Sequence, residues 1–222
     1  MARQEDTMRV HALRRFMPVA ALLTLLPAQA AAQSIGIRGG LNSGTVDFKT
    51  VPAGMDVGYS TSYHIGTFLE MPLAPTVSLV AEARYVDRGW TLSGTTTDAT
   101  AKADYVEVPL VLKLAPATLM AIKPHVFAGP IMSMRVGCNV NGDLNGSAFD
   151  GSCAQAGLGL DTKEQDLGLA VGAGFNLDYV GWTFVVDLSY NHGLMNLSPN
   201  DSNTARSRTF YLSVGAQIPF GR

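Results

Sequence analysis

The chain has 222 residues, 16 Lys and Arg against 18 Asp and Glu, a formal net charge of −2, and 47% hydrophobic residues. That length suits one domain behind a short leader, and the mild acidity argues against nucleic acid as a partner. Nowhere after the N-terminal region do eighteen consecutive apolar residues occur, so a spanning helix is excluded and any membrane crossing falls to strands.

Residues 1–15 carry Arg3, Arg9, Arg14 and Arg15. The apolar run from Phe16 to Leu26 follows, then Pro27 and small residues ending Ala30-Ala31-Ala32. A basic start, a short apolar stretch and an Ala-x-Ala site predict a secretory signal peptide over 1–32, cleaved after Ala32. The apolar run is too short for a helical anchor. Glu5 and Asp6 suit such a leader poorly, which leaves Met8 as a start beside Met1. The expected mature domain is 33–222.

Eight segments of that domain alternate with period two. In Ile35–Leu41, Ile35, Ile37 and Leu41 face away from Arg38. In Thr61–Met71, Tyr63, Ile65, Leu69 and Met71 oppose His64, Gly66 and Glu70. Val77–Asp87 sets Val77, Leu79, Ala81 and Tyr85 against Glu82 and Arg84. Asp104–Leu114 is the cleanest: Val106, Val108, Leu110, Leu112 and Leu114 against Glu107 and Lys113. Lys123–Met134 is weaker. In 166–178, Leu167 to Leu177 oppose a run of glycines between Asp166 and Asp178. Trp182, Phe184, Val186, Leu188 and Tyr190 oppose Asp187 and Ser189. Thr209–Phe220 closes the series. Alternation over about ten residues is the mark of a membrane-crossing strand.

The connections alternate in length: 43–60 long, 72–76 short, 88–103 long, 115–122 short, 135–165 long, Tyr179-Val180-Gly181 tight, 192–208 long. Long outer loops and short periplasmic turns give an all-β fold, an eight-stranded antiparallel up-and-down transmembrane β-barrel with both ends in the periplasm. The charged parity is rich in Gly and Ser, which suits a narrow interior. Tyr63, Tyr85, Trp182, Tyr190, Phe210 and Phe220 read as interfacial aromatics. Pro109 lies mid-strand and should produce a local bulge or a widened pairing.

Arg38, Glu82, Arg84, Glu107, Lys113 and Asp187 therefore share the lumen. If Asp87 pairs near Asp104, Arg84 faces Glu107, and the group forms a plug of paired charges. Cys138 and Cys153, in a Gly/Asn/Asp-rich segment of an exported chain, are expected to form a disulfide. A two-cysteine metal site is disfavoured, because no further Cys or His lies nearby. Asp143, Asp150 and Asp161 share a loop but lack the twelve-residue calcium pattern, so a solvated acidic loop is the better reading. His64 and His192 near the outer ends, with Ser60, Ser62 and Ser189 close in sequence, raise a hydrolase reading. No spacing is diagnostic, and histidines bonded within the lumen or rim, His125 included, are the plainer account.

Taken together, Ile35-Gly-Ile-Arg-Gly-Gly-Leu-Asn42, Tyr105-Val-Glu-Val-Pro-Leu-Val-Leu-Lys113, Lys123-Pro-His-Val-Phe-Ala-Gly-Pro130, Gly172-Ala-Gly-Phe175 and Tyr190-Asn-His-Gly-Leu194 carry a family resemblance. The chain resembles the PorT-type outer-membrane β-barrel domain of Bacteroidetes-like bacteria over its whole mature length. The resemblance implies an outer-membrane location, lipid and the barrel-assembly machinery as partners, and Pro109 as a family feature. It departs at the end, where Gly221 and Arg222 follow Phe220. The expectation is a monomeric, non-enzymatic barrel without cofactor, in a membrane-integrity, adhesion or assembly role. A narrow passive channel or ligand carrier is the alternative, and an outer-membrane lipid hydrolase the third.

Overall fold

The computed structural model describes residues 33–48, 55–116, 121–144, 146–153, 155, 164–197 and 205–220. The leader, Asp161 and the two residues after Phe220 lie outside the described residues. The strands are β1 (Gln33–Phe48), β2 (Met55–Ala74), β3 (Val77–Gly94), β4 (Asp98–Leu114), β5 (Ile122–Leu144), β6 (Ser147–Ser152), β7 (Gln165–Tyr179), β8 (Trp182–Gly193) and β9 (Ala205–Phe220). Each pairs antiparallel with its neighbour. β5 passes its second edge to β7, and β9 returns to β1, so eight strands close into a ring. β6 stands outside the ring as a short return strand against Asn139–Leu144 of β5.

Closure follows from the alternation. Ile37, Ile65, Leu112, Leu188 and Leu212 are exposed on the outer face, while Glu107, Glu82, Arg84 and Asp187 are buried within. This is the reverse of a water-soluble barrel, and it is what hydrocarbon outside and a crowded lumen inside require. Following paired residues once round the ring returns to β1 about ten residues away, a stagger that tilts the strands by roughly 40°. With eight strands, such a barrel is filled by its own side chains.

The strands run further than the alternation suggested. Much of 43–60 and almost all of 88–103, expected as loops, is ladder. β3 and β4 are joined only by Thr95-Thr96-Thr97. The reason is a change of role along each strand. Up to Val106 the outward residues are apolar. Beyond it they are Asp104, Lys102, Thr100 and Asp98. Over the same step the inward residues change from Glu107 to Tyr105, Ala103, Ala101 and Ala99, all buried. Trp90 and Leu92 of β3 and Val140 of β5 pack with them in an apolar core. The long-hairpin end is thus built like a soluble sandwich, and its small residues hide the alternation.

Pro109 does not create a bulge. Pairing lapses beside it, between Ala81↔Leu110 and Arg84↔Glu107 on one side and between Pro109↔Ile131 and Leu112↔Ala128 on the other, but the register is unchanged across both gaps. Its missing donor is absorbed as a local gap, because ladder on either side fixes the alignment. A true irregularity lies higher, where Asp104↔Gly137 and Tyr105↔Arg135 make Val136 an extra residue in β5. It lets Ile131 and Ser133 below, and Val140 above, all face inward.

Cys138 and Cys153 are joined by a disulfide, Cα atoms 5.5 Å apart, tying β5 to the residue after β6. The Cys153 amide also donates to the Cys138 carbonyl at 3.2 Å. At the other end, the β7–β8 turn places Val180 at φ 47° and Gly181 at φ 81°, the left-handed pair of a type I′ turn.

Two outcomes follow. Leu110→Arg places a charge in the middle of the outer apolar band and should destabilise the barrel by about 2–4 kcal/mol in urea unfolding from lipid vesicles. Val180 is β-branched in a conformation that costs ordinary residues roughly 1–2 kcal/mol, whereas Asn-Gly is the preferred I′ pair. Val180→Asn should therefore raise stability by about 1 kcal/mol in the same assay.

Candidate functional site

The inward face of the lower barrel carries a stack of ion pairs. Nearest the short turns, Lys123 meets Asp178 at 2.5 Å, and Thr183 donates to the same carboxylate at 2.6 Å. Above them Lys113 reaches Glu70 at 2.9 Å and Asn176 at 3.4 Å. Arg38 of β1 then spans the lumen. One amino group pairs with Glu82 of β3, and the other lies 2.7 Å from Asp187 of β8, whose second oxygen is 2.7 Å from His125 Nε2.

Arg84 stands directly opposite Glu107 in the β3–β4 ladder, and its Nε and Nη2 donate to one carboxylate oxygen at 2.8 and 2.7 Å. Arg88, two alternations higher, pairs with the same carboxylate. It also donates to the Tyr211 hydroxyl at 3.2 Å and the Ser207 hydroxyl at 3.1 Å, and lies 3.9 Å from Asp166. The Tyr211 hydroxyl donates in turn to Glu107 at 3.2 Å, and its ring lies 4.2 Å beneath the Arg84 guanidinium. Glu107, fully buried, is thus the shared anion of two arginines and a tyrosine.

Glycine makes room for these long side chains. Gly66 lies between Arg38 and Arg84 in the ladder, and Gly215 lies on the other side of Arg38. A Cβ at Gly66 would stand 2.5 Å from Arg84 Cβ, and one at Gly215 2.6 Å from Arg38 Cβ. The space left around Arg38 is small. Two cavities of about 10 Å³ each lie around Arg38, one bounded by Lys113 and Asp187 and the other by Arg84 and Ser213. Each has room for about one water.

All six lumen residues expected from the sequence point inward and make ionic contacts. Arg88, Asp166 and Tyr211 were missed. Arg88 continues the parity of Glu82 and Arg84, but it falls in 88–103, the stretch expected as a loop. Tyr211 sits on the polar parity between Phe210 and Leu212, and carries no charge at neutral pH that would mark it in the sequence.

The histidines do not assemble. His64 is buried in the lumen with Nε2 2.9 Å from Ser213 Oγ and its ring edge-on to Tyr211. Because the strands continue well past it, it is not at the rim as the loop lengths implied. His125 is deeper, on Asp187, whereas His192 lies on the outer face beside Tyr190. Among the described residues no group of three His, Cys, Asp or Glu could hold a metal ion.

This combination of lipid-compatible outer face and charge-filled lumen agrees with the comparisons. Residues 28–198 match the family model described as an outer membrane protein beta-barrel domain. The chain belongs to that family. No curated protein matches it. Among solved structures it is similar to the outer membrane protein OprG from Pseudomonas aeruginosa, at 17% identity and a TM-score of 0.55, covering 86% of this chain and 97% of that one. It is also similar to the outer membrane protein AlkL, at 16% identity and a TM-score of 0.50, covering 89% and 96%. A third neighbour is the outer membrane protease OmpT from Escherichia coli, at 10% identity and a TM-score of 0.51, covering 89% and 99%. At these identities the likeness is one of fold, and the architecture plainly hosts more than one activity.

The shared anion yields a prediction. Glu107→Ala leaves two buried guanidiniums without their main partner and should cost about 3–5 kcal/mol. Arg84→Ala should cost less, since Arg88 still holds Glu107. The double variant should be more stable than the two losses summed, by roughly 1–3 kcal/mol of coupling, measured by urea unfolding in vesicles. Strict additivity would sink the account of a coupled network.

Proposed function

We propose that the protein is exported behind a cleaved leader over residues 1–32, with its long hairpins outside the cell. On this reading it is a monomeric, non-enzymatic outer-membrane barrel of the PorT-type branch, inserted by the barrel-assembly machinery and serving membrane integrity, adhesion or assembly. The observation that carries this reading is the filled cross-section. Arg38, Arg84 and Arg88 bridge strands across the lumen, and the spaces around Arg38 are about 10 Å³ each. A hydrated solute crossing such a section would have to break several buried ion pairs at once, each costly to separate. His64 Nε2 does lie within hydrogen-bond reach of Ser213 Oγ, but both side chains are buried in the filled lumen, where a lipid ester has no access. The long hairpins favour a surface role: their apolar residues point in, and their outer face is Asp, Thr, Lys and Asn.

Purified protein in phospholipid vesicles tests the reading. Ion and small-solute flux should stay at the level of empty vesicles, and the vesicle lipid should remain fully acylated. Flux that rises in Arg38→Ala but is absent from wild type fits a closed plug. Flux in wild type would make the channel reading correct, and released fatty acid the hydrolase reading.

A further inference from the structure

The outer face of β8, β9 and β1 changes character over a few residues. At membrane depth Leu188, Leu212 and Leu41 are paired in a row, 60%, 52% and 59% exposed. One step higher Tyr190 opposes Phe210, ring centroids 4.8 Å apart. Above the rings, His192 opposes Arg208, and Arg206 opposes Asp47 across the β9–β1 ladder. Arg208 Nη2 lies 2.5 Å from Asp47, and the Tyr190 hydroxyl is 3.4 Å from His192 Nδ1. One carboxylate therefore faces two guanidiniums, and Arg206 is exposed.

The opposite side of the barrel differs at this level. On β3 and β4 the outward groups are Asp87 with Lys102 at 3.6 Å, and Asp104, which accepts from the Tyr85 hydroxyl at 2.5 Å. That side carries an excess of carboxylate. Among the described residues of these two sides, the spare positive charge lies above Tyr190 and Phe210.

We propose that this face is a binding site for an anionic membrane lipid, with its phosphate on Arg206 and Arg208, its headgroup edge on Tyr190 and His192, and its acyl chains along Leu188, Leu212 and Leu41. The vertical order of the residues matches the order of groups in such a lipid. Guanidinium is the side chain best shaped to take phosphate through paired N–H donors. Aromatic rings prefer the depth between headgroup and chain. An apolar face alone would accept any lipid; the arginines make the site selective for charge. The site extends the surface role proposed above, and it places the lipid in the leaflet at the long-hairpin end.

The test uses the whole mature protein in phosphatidylcholine vesicles, doped with diphosphoryl lipid A or with the same lipid stripped of its phosphates. Thermal unfolding is read by gel mobility, which also verifies that each variant has folded. The phosphorylated lipid should raise the unfolding temperature of wild type, and the stripped lipid should not. Arg206→Gln with Arg208→Gln should abolish the difference, each lost cation weakening apparent lipid affinity about fivefold. Arg206→Lys with Arg208→Lys should keep part of it, and Lys102→Gln all of it.

Equal protection by both lipids, or the same loss in Lys102→Gln, would overturn the site. So would full protection of wild type by inorganic phosphate in undoped vesicles, since the ligand would then be a free anion. If the glutamine pair does not fold, raising salt on wild type makes the same distinction: protection that is insensitive to salt rules out a phosphate contact. The orientation is checked separately, by labelling a cysteine placed at the exposed Thr95 on intact cells. A labelling failure with intact lipid selectivity would move the site to the other leaflet rather than remove it.

Discussion

Hydrocarbon offers no partner to a backbone N–H or C=O, and each one left open costs several kcal/mol. Where the described residues hold no helix long and apolar enough to cross a membrane, this leaves a ring of strands in which the last pairs with the first. The pairing of β9 with β1 over sixteen residues, Gln33↔Phe220 to Phe48↔Ala205, is thus the contact on which the others depend. Closure with eight strands fixes a narrow radius. A narrow lumen lined by one parity of every strand must then satisfy its own polar groups. The ion pairs on Arg38, Arg84, Arg88 and Lys113 are the consequence.

The two faces exchange character at one height. On β4 the outer face turns from Val106 to Asp104 within one alternation, while the inner face turns from Glu107 to Tyr105. The β3–β4 register runs unbroken through this point, from Val77↔Leu114 to Ser93↔Asp98, whereas β5 takes its extra residue, Val136, against β4 here. What changes is the solvent. Below the step, apolar surface has to face lipid; above it, apolar surface has to be hidden from water. The same ladder meets both demands by reversing which parity carries the apolar side chains.

Sequence made the membrane half legible because there the alternation contrasts large apolar residues with charge, as in Val106 to Lys113. Arg84 opposite Glu107 followed from a single assumed hairpin register. The other half was hidden by residue size. Ala99, Ala101 and Ala103 alternate with Thr100 and Lys102, but three alanines near glycines read as a loop. Arg88 was lost with that segment. Cross-lumen partners such as Arg38 with Asp187 were beyond reach for another reason. They join strands that are not neighbours in the ring, so no hairpin register determines them; the stagger of the whole barrel does.

Those cross-lumen contacts complete the physical picture. Ladder hydrogen bonds resist the parting of neighbouring strands, but they resist flattening weakly, because a closed sheet can become elliptical with each pair intact. Contacts between distant strands act against that mode. Arg38 on β1 braces β3 and β8, and Arg88 on β3 braces β4, β7 and β9 through Glu107, Asp166 and Tyr211. Arginine suits the task better than lysine, since a planar fork meets two acceptors at once and stacks on a ring, as Arg84 does on Tyr211 and Arg38 on Phe68. Phe68 and Tyr211 lie on the inward parity of their strands, which puts their rings within reach of these guanidiniums. The glycines beside Arg38 and Arg84 complete the arrangement: they widen the lumen where the braces are anchored, and the braces then fill what the glycines open.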